Sequence, residues 1–302
     1  MNKSGPPDVT VVTPSYQQAS FIEETIQSVL TQTGVTTEYL VMDGGSTDGT
    51  LEILERYRSR LQFLSEKDQG QTDAINKGFQ RAQGRILAYL NSDDTYLPGA
   101  LTKAVHFLDE HPEFAMMYGE GYHVDAQGRF LERYYTEPFD FQRLAQVCFI
   151  CQPTVFVRRE MLSAVGYLDT RLQYTMDYDY WIRIGKRYAI GYLPEYLARS
   201  RLHPENKTIF QRIQVHQEIL DTVRRHYGRV PARWIAGYSH ALLERYLSRK
   251  DRVRNETFQF LVNAIFFWKY VVTNKRLPWG DSMRRLNREE MDPKTWKDPA
   301  NL

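Results

Sequence analysis

The chain has 302 residues, 42% of them hydrophobic and 25% charged, with a formal net charge of +2. That is the composition of a globular protein large enough to bury a substantial core, and it excludes a disordered, fibrous or collagen-like chain. A balance this close to neutrality also sets up no global field that calls for nucleic acid.

Residues 1–8 are polar and carry Gly5, Pro6 and Pro7, without the apolar core of a signal peptide. Residues 9–13 then form a β-branched run ending at Pro14, and residues 21–31 space Phe21, Ile22, Ile26, Val29 and Leu30 as a helix does. A short apolar run at 39–42 leads into Asp43-Gly44-Gly45-Ser46, a turn. Helix is expected at 50–57 and 72–82, with a short strand at 63–64 between them, and residues 86–90 make a third strong apolar run stopped by Asn91-Ser92-Asp93-Asp94. Pro98-Gly99 opens a further helix. Strand and helix alternating in this way predict βαβ units and an open, mostly parallel sheet flanked by helices, an α/β fold.

Past Glu113 the pattern changes. Runs at 114–124 and 130–135 flank Asp125-Ala126-Gln127-Gly128 as a hairpin, 149–157 reads as a strand, 177–187 as a helix and 189–201 as extended chain. Cys148 and Cys151 are spaced C-x-x-C with no second pair, and with Phe149 and Ile150 between them they read as buried free thiols rather than a zinc site. From Pro204 the text turns helical and basic, with helices expected over 209–227, 231–248 and 256–272. The domain boundary falls there: 1–204 as the ligand-binding α/β domain and 205–302 as a helical, basic extension. No stretch reaches the roughly 18–20 apolar residues of a membrane span, so the chain is expected in the cytoplasm. Basic residues flank the apolar part of the last helix: Arg249, Lys250, Arg252 and Arg254 before it, and Lys275, Arg276, Arg284, Arg285 and Arg288 after it. That helix has two readings, packing on the catalytic domain or a second subunit, or peripheral contact with the inner face of a membrane.

Polar residues gather just after each of the first three strong apolar runs: Thr13 and Ser15, then Asp43 and Ser46, then Asp93 and Asp94. In an open α/β sheet, ligands bind beyond the carboxyl ends of the strands, so these segments converge on one edge. Carboxylates at a strand end suit a hard divalent cation that keeps phosphate oxygens in its shell, though Asp is equally at home in caps and turns. Asp177 and Asp179 open a helix two residues apart at about 100° per residue, so they face different ways. One can face a pocket while the other caps or pairs. A carboxylate near an acceptor hydroxyl could take its proton. Trp181, one turn on, reads as core or as a sugar platform.

Taken together, these residues resemble glycosyltransferase family two, the inverting family with the GT-A fold. Val11-Val12-Thr13-Pro14-Ser15-Tyr16-Gln17 is similar to its opening strand and nucleotide loop, and Val41-Met42-Asp43-Gly44-Gly45-Ser46-Thr47-Asp48-Gly49-Thr50 to its second nucleotide segment. Asp68-Gln69-Gly70-Gln71 with Asp73-Ala74-Ile75-Asn76-Lys77-Gly78 is similar to its third element, and Asn91-Ser92-Asp93-Asp94 stands where its metal motif belongs. Gln152-Pro153 and Asp177-Tyr178-Asp179-Tyr180-Trp181-Ile182-Arg183 resemble the acceptor-side motifs. The resemblance implies a transferase that moves a sugar from a nucleotide diphosphate, a UDP-sugar favoured, onto a hydroxyl of a glycan or lipid-linked acceptor, as in bacterial cell-surface polysaccharide assembly. It implies Asp43 on the nucleobase with Thr13, Pro14, Ser15, Tyr16 and Gly44 around it, and Asn76, Ser92, Asp94 and Gln152 completing the donor site. Asp93 and His203 would hold Mn²⁺ or Mg²⁺, and Asp177 would be the catalytic base. Asn91 departs from the family's usual first aspartate, Met176 from a common glutamate, and Asp73 from a common arginine. The first two departures motivate a rival reading as a non-catalytic nucleotide-sugar-binding protein. A sugar nucleotidyltransferase fits less well, since no basic glycine-rich triphosphate loop stands near the N-terminus.

Overall fold

The structure, a computed structural model, describes residues 5–204, 206–207, 211–245 and 256–278. The chain divides into two compact units, residues 1–141 with 149–203, and residues 142–148 with 204–302.

The first unit is built on one mixed sheet. Its strands are β1 (Val9–Ser15), β2 (Thr37–Asp43), β3 (Gln62–Ser65), β4 (Ile86–Tyr89), β5 (Thr95–Tyr96), β6 (Phe114–Val124), β7 (Phe130–Arg133), β8 (Phe156–Arg158) and β9 (Ala189–Arg201). They lie in the order β3-β2-β1-β4-β8-β6-β9-β5, with β7 paired to β6. The β1/β2, β2/β3, β1/β4 and β6/β9 pairs are parallel, while β8 runs antiparallel to both β4 and β6 and so joins the two parallel halves. β1 is central and buried along its whole length, which is why it reads as an unbroken β-branched run. Pro14 is tolerated there because pairing with β4 stops at Val12↔Tyr89, whereas pairing with β2 continues to Ser15↔Asp43.

The helices of this unit are α1 (Ile22–Leu30), α2 (Thr50–Arg56), α3 (Gln71–Arg81), α4 (Ala100–Glu110), the short α5 (Phe141–Leu144, ending in the second unit) and α6 (Met161–Ala164), and α7 (Met176–Gly185). α1 buries Ile22, Ile26 and Val29 and α4 buries Leu101, Ala104, Val105 and Leu108 in one cluster with β1, β2 and β4. α3 crosses β1 at Gly78, where a Cβ would lie 2.4 Å from Val12 Cγ1. The strand expected over 149–157 is confined to β8. A 3-10 turn at Gln152–Thr154 precedes it, with Pro153 in its first turn and the Thr154 hydroxyl donating to the Cys151 carbonyl. Cys151 is buried and Cys148 half-buried, both as free thiols.

The second unit contains α8 (Arg212–Tyr227), α9 (Ala232–Glu244) and α10 (Glu256–Asn274). α9 packs on α8 and α10. The Trp234 indole N–H donates to the Ala145 carbonyl at 2.8 Å. Residues 209–210 and 246–248 of the expected helices, and the basic residues Arg249, Lys250, Arg252, Arg254, Arg284, Arg285 and Arg288, lie outside the described residues. No helix among the described residues is long and apolar enough to cross a membrane.

Candidate active site

β1 connects through α1 to β2 on one side, and the chain later returns through α3 to place β4 on the other side of β1. The strand order therefore reverses between β1 and β4, and an open sheet has its crevice at such a point. Ser15 ends β1 there, and the turn Asn91–Asp94, closed by Asp94 N–H donating to Asn91 O at 3.1 Å, follows β4. Thr25 pins this turn from α1, its hydroxyl lying 2.9 Å from Ser92 O and 2.8 Å from Asp94 O.

The loops after β1 and β2 are zipped together. Gln17 N–H donates to Ser46 Oγ at 2.8 Å, Gln17 Oε1 accepts from Thr47 N–H at 3.0 Å, and Ala19 N–H donates to Asp48 Oδ2 at 2.9 Å. This holds Gln17 at φ 55°, a left-handed conformation uncommon outside glycine. Asp43 organises the second loop: its oxygens accept from Gly45 N–H, Ser46 N–H, the Ser46 hydroxyl and the Ser65 hydroxyl. Three of these hydrogen bonds fall on Oδ2 and one, from the Ser46 hydroxyl, on Oδ1, so Asp43 shapes the loop while Oδ1 keeps a further acceptor position. A second carboxylate, that of half-buried Asp68, stands next to this loop and accepts from Gly70 N–H at 2.8 Å. Built on Gly44, a Cβ would stand 2.9 Å from Asp68 Oδ2 and 3.3 Å from the Tyr16 ring, so Gly44 is what lets this carboxylate and this largely exposed aromatic ring converge. The Ser15 hydroxyl, buried beside them in sequence at the end of β1, has no hydrogen-bond partner among the described residues.

Two expected donor contacts are used inside the fold. The Thr13 hydroxyl is buried and lies 3.1 Å from the Tyr39 hydroxyl. Asn76 is clasped to the backbone of Leu168, donating to its carbonyl at 2.9 Å and accepting from its N–H at 3.1 Å, so it ties α3 to the segment leading into α7. Asp73, at the start of α3, accepts from Gln69 N–H and pairs with Lys77.

On the metal-motif side, Asp93 and His203 converge: His203 Nε2 lies 3.0 Å from Asp93 Oδ2, and the imidazole packs against the Phe21 ring at 4.7 Å. β9 brings His203 there, since Arg201 locks the end of β9 onto the turn. Arg201 N–H donates to Asp94 Oδ1 at 2.9 Å, and its guanidinium donates to the carbonyls of Asp93 and Ala126 and to Glu24. Asp94 is thus an internal brace. Burial, and then the adjacent Asp93 charge, push its carboxyl well above the usual carboxylate range. Among the described residues no group of three or more His, Cys, Asp and Glu side chains could hold a metal. The Asp93 carboxylate fits Mg²⁺ or Mn²⁺ drawing most of its ligands from a diphosphate and water, and the His203 imidazole beside it suits the softer Mn²⁺ better than Mg²⁺.

Asn91 stands at the centre. Its Oδ1 accepts from Gln71 Nε2 at 2.7 Å, and its Nδ2 donates to Gln152 Oε1 at 3.1 Å and to Asp94 Oδ2 at 3.3 Å. Gln152 is fixed in turn by donating to Tyr89 O at 3.0 Å. The residue before Gln71, Gly70, is a close neighbour of Gln173 in the segment preceding α7. In α7, Asp179 is buried and paired with Arg183 at 2.8 Å, whereas Asp177 is half-buried at the helix start, with Tyr178 N–H donating to its Oδ1 at 2.7 Å. The two carboxylates therefore face different ways, Asp179 into an ion pair with Arg183 and Asp177 half-buried at the helix start. Trp181 is buried and belongs to the core. Arg201 and Thr25 support the site without any sequence signal of their own, through contacts to the Asn91–Asp94 turn that no motif spacing displays, whereas Gln71 falls in the Asp68–Gln71 segment already singled out by resemblance.

The model of glycosyl transferase family 2 matches residues 10–166. TuaG of Bacillus subtilis, a glycosyltransferase named for teichuronic acid biosynthesis, is 33% identical over 65% of this chain and 79% of its own length. An uncharacterized glycosyltransferase of Rickettsia bellii is 26% identical over 70% of this chain, yet the chain spans only 31% of that relative's length. Among solved structures, the mannosyltransferase PcManGT from Pyrobaculum calidifontis, in complex with GDP-Man and Mn²⁺, superposes with a TM-score of 0.61 at 20% identity, covering 98% of this chain and 85% of that one.

Proposed function

The chain belongs to glycosyl transferase family 2, and on that premise we propose that it moves a sugar from a nucleoside-diphosphate donor to an acceptor hydroxyl with inversion, in the assembly of a cell-surface glycan. The observation that carries this reading is the convergence of Asp93 and His203 at 3.0 Å on the edge where β1 and β4 diverge. The TuaG likeness supports the glycan context, and the GDP-Man and Mn²⁺ complex of PcManGT supports a nucleotide-sugar donor with a divalent cation.

In this reading the nucleobase stacks by Tyr16 and donates an N–H to Asp68, while Asp43 keeps the loop in shape. Both uracil and guanine carry such an N–H, and UDP-sugars are the first donors to test. Asp93 and His203 would hold the cation, which when bound neutralises charge on the diphosphate. The acceptor enters on the Gln152 and Asp177 side. Asp177 removes the hydroxyl proton as the oxygen bonds to the anomeric carbon, the carbon–oxygen bond to the diphosphate breaks, and the configuration at that carbon inverts. Fixed loops and braced side chains supply the alignment of donor and acceptor.

The test is a panel of UDP- and GDP-sugars assayed for transfer and for thermal shift, with Mn²⁺ or Mg²⁺ and with chelator. Asp177→Asn should bind donor normally and lose roughly 100-fold or more in turnover, and Asp68→Asn should raise donor KM while sparing kcat. Asp93→Ala should abolish the metal-dependent part of the thermal shift. An Asp177→Asn protein that keeps most of its turnover removes the base assignment. Donor binding without transfer to any acceptor favours a non-catalytic binding protein.

A further inference from the structure

α10 in the second unit is apolar on two sides. Its inner side buries Val262, Phe266 and Tyr270, and Val262 clusters with Leu243 of α9. Lys269 also turns inward, its Nζ donating to Gln217 Oε1 at 2.7 Å and standing 4.2 Å from the Tyr238 ring centroid. The outer side carries Phe260, Leu261, Phe267, Trp268 and Val272, all exposed, with Phe260 at 70% and Trp268 at 62%. At about 100° per residue these positions fall within one arc of roughly 140°, some 18 Å long. No charged side chain lies on that arc before Lys275, which is exposed and followed by exposed Arg276. A helix on a soluble surface turns charge outward. This one turns out two phenylalanines and a tryptophan, and contiguous apolar exposure of that kind marks a docking face.

We propose that this face docks on an anionic lipid surface, with α10 lying in the plane of the headgroups. Charge decides between the candidate occupants. Residues 249–288 hold ten Lys and Arg against three Asp and Glu, and the basic residues lie in sequence on both sides of the apolar stretch. A second copy of the chain, docked face to face by a twofold axis in antiparallel fashion, would set basic ends against basic ends. A neutral apolar partner would gain nothing from them. An anionic bilayer satisfies both features at once: Phe and Trp side chains enter the boundary between headgroups and acyl chains, and Lys and Arg meet the lipid phosphates. The inference is independent of the transfer chemistry, because it uses no residue of the candidate active site.

Flotation of the full chain with vesicles of phosphatidylglycerol and phosphatidylcholine, against phosphatidylcholine alone, tests it. The protein should float at least ten-fold more on the anionic vesicles and lose most of that advantage at high salt. Phe267→Ser with Trp268→Ser should lower flotation at least ten-fold while leaving the far-UV thermal melt unchanged, since both side chains are exposed. Lys275→Glu with Arg276→Glu, a pair beyond the apolar face, should lower it on anionic vesicles only. Absence of flotation on anionic vesicles overturns the proposal, as does wild-type flotation of the serine double variant. So does a concentration-dependent dimer in sedimentation that the serine double variant dissolves, which would assign the face to a second copy.

Discussion

Asn91 occupies the position where the family usually has an aspartate, and its hydrogen bonds show why the amide matters here. Its Nδ2 donates towards two acceptors, Gln152 Oε1 and Asp94 Oδ2, and its Oδ1 takes a hydrogen bond from Gln71. An aspartate would accept from Gln71 but would face the other two oxygens with no hydrogen to offer, and would add a third carboxylate beside Asp93 and the buried Asp94. On the proposed assignment of a cation to Asp93 and His203, Asn91→Asp should therefore lower turnover by about 10–100-fold, the usual range for losing a supporting contact around a metal site, even though it restores the residue common in the family. Asn91→Ala should be the milder of the two, because it removes the links without adding charge. Transfer kinetics of both variants at saturating donor check the order, and a rise in turnover for Asn91→Asp would show that the amide is not a required donor. The same residue scale marks where sequence reading stops. Asp93, His203 and Asp177 carry visible chemistry at strand and helix ends, so motif spacing singles them out as candidates. Asp43 and Asn76 carry equally visible chemistry, and their hydrogen bonds with Ser46, Ser65 and Leu168 are revealed only by three-dimensional neighbours.

At the scale of elements, the site depends on how closely α3 approaches β1, because α3 begins at Gln71 and reaches the Asn91 turn. Gly78 sets that approach: its missing Cβ would be 2.4 Å from one Val12 methyl and 2.8 Å from the other. Gly78→Ala should gain helix propensity of about 1 kcal/mol but pay overpacking of about 1–3 kcal/mol, for a net loss measurable by urea unfolding. Adding Val12→Ala should make the pair non-additive, with the double variant more stable than the sum of the single losses predicts. Additive losses would mean that the contact with Val12 is not what the alanine disturbs. The elements themselves were legible where periodicity is strong: β1, β2, β4, α1 and α3 follow from β-branched runs and helical spacing. The region 149–155 was not, since its apolar residues are buried without belonging to a strand, which begins only at Phe156. Phe149, Ile150 and Cys151 are all fully buried, and the turn that follows is set by Pro153 and by the hydroxyl of Thr154, a side-chain bond that no apolar pattern encodes.

At the scale of the whole chain, the two units differ in what holds them and so in how they respond to acid. The first unit closes around a wide sheet, and its fold class was legible from the alternation of strands and helices. The second is three described helices whose packing buries a titratable group. His216 in α8 is pushed down to about 4 by burial, then by the neighbouring Arg212 and His240 charges, and His240 is lowered by burial and Arg212 in the same sense. The sign follows from linkage. In the unfolded chain His216 binds a proton near its ordinary value of about 6.5, whereas in the fold it stays neutral until about pH 4. Between those values the unfolded state binds more protons, so stability falls as pH falls, with His216 alone contributing a loss of about 2 kcal/mol by pH 5 and about 3 kcal/mol below pH 4. The second unit should therefore open before the first on acidification. Hydrogen exchange followed by peptide at pH 7 and pH 5 should show protection dropping in α8 and α9 beyond the intrinsic rate change while β1 and β4 hold theirs. His216→Gln should flatten that difference, having no proton to gain, and an unaltered pH response in this variant would place the acid sensitivity elsewhere in the unit.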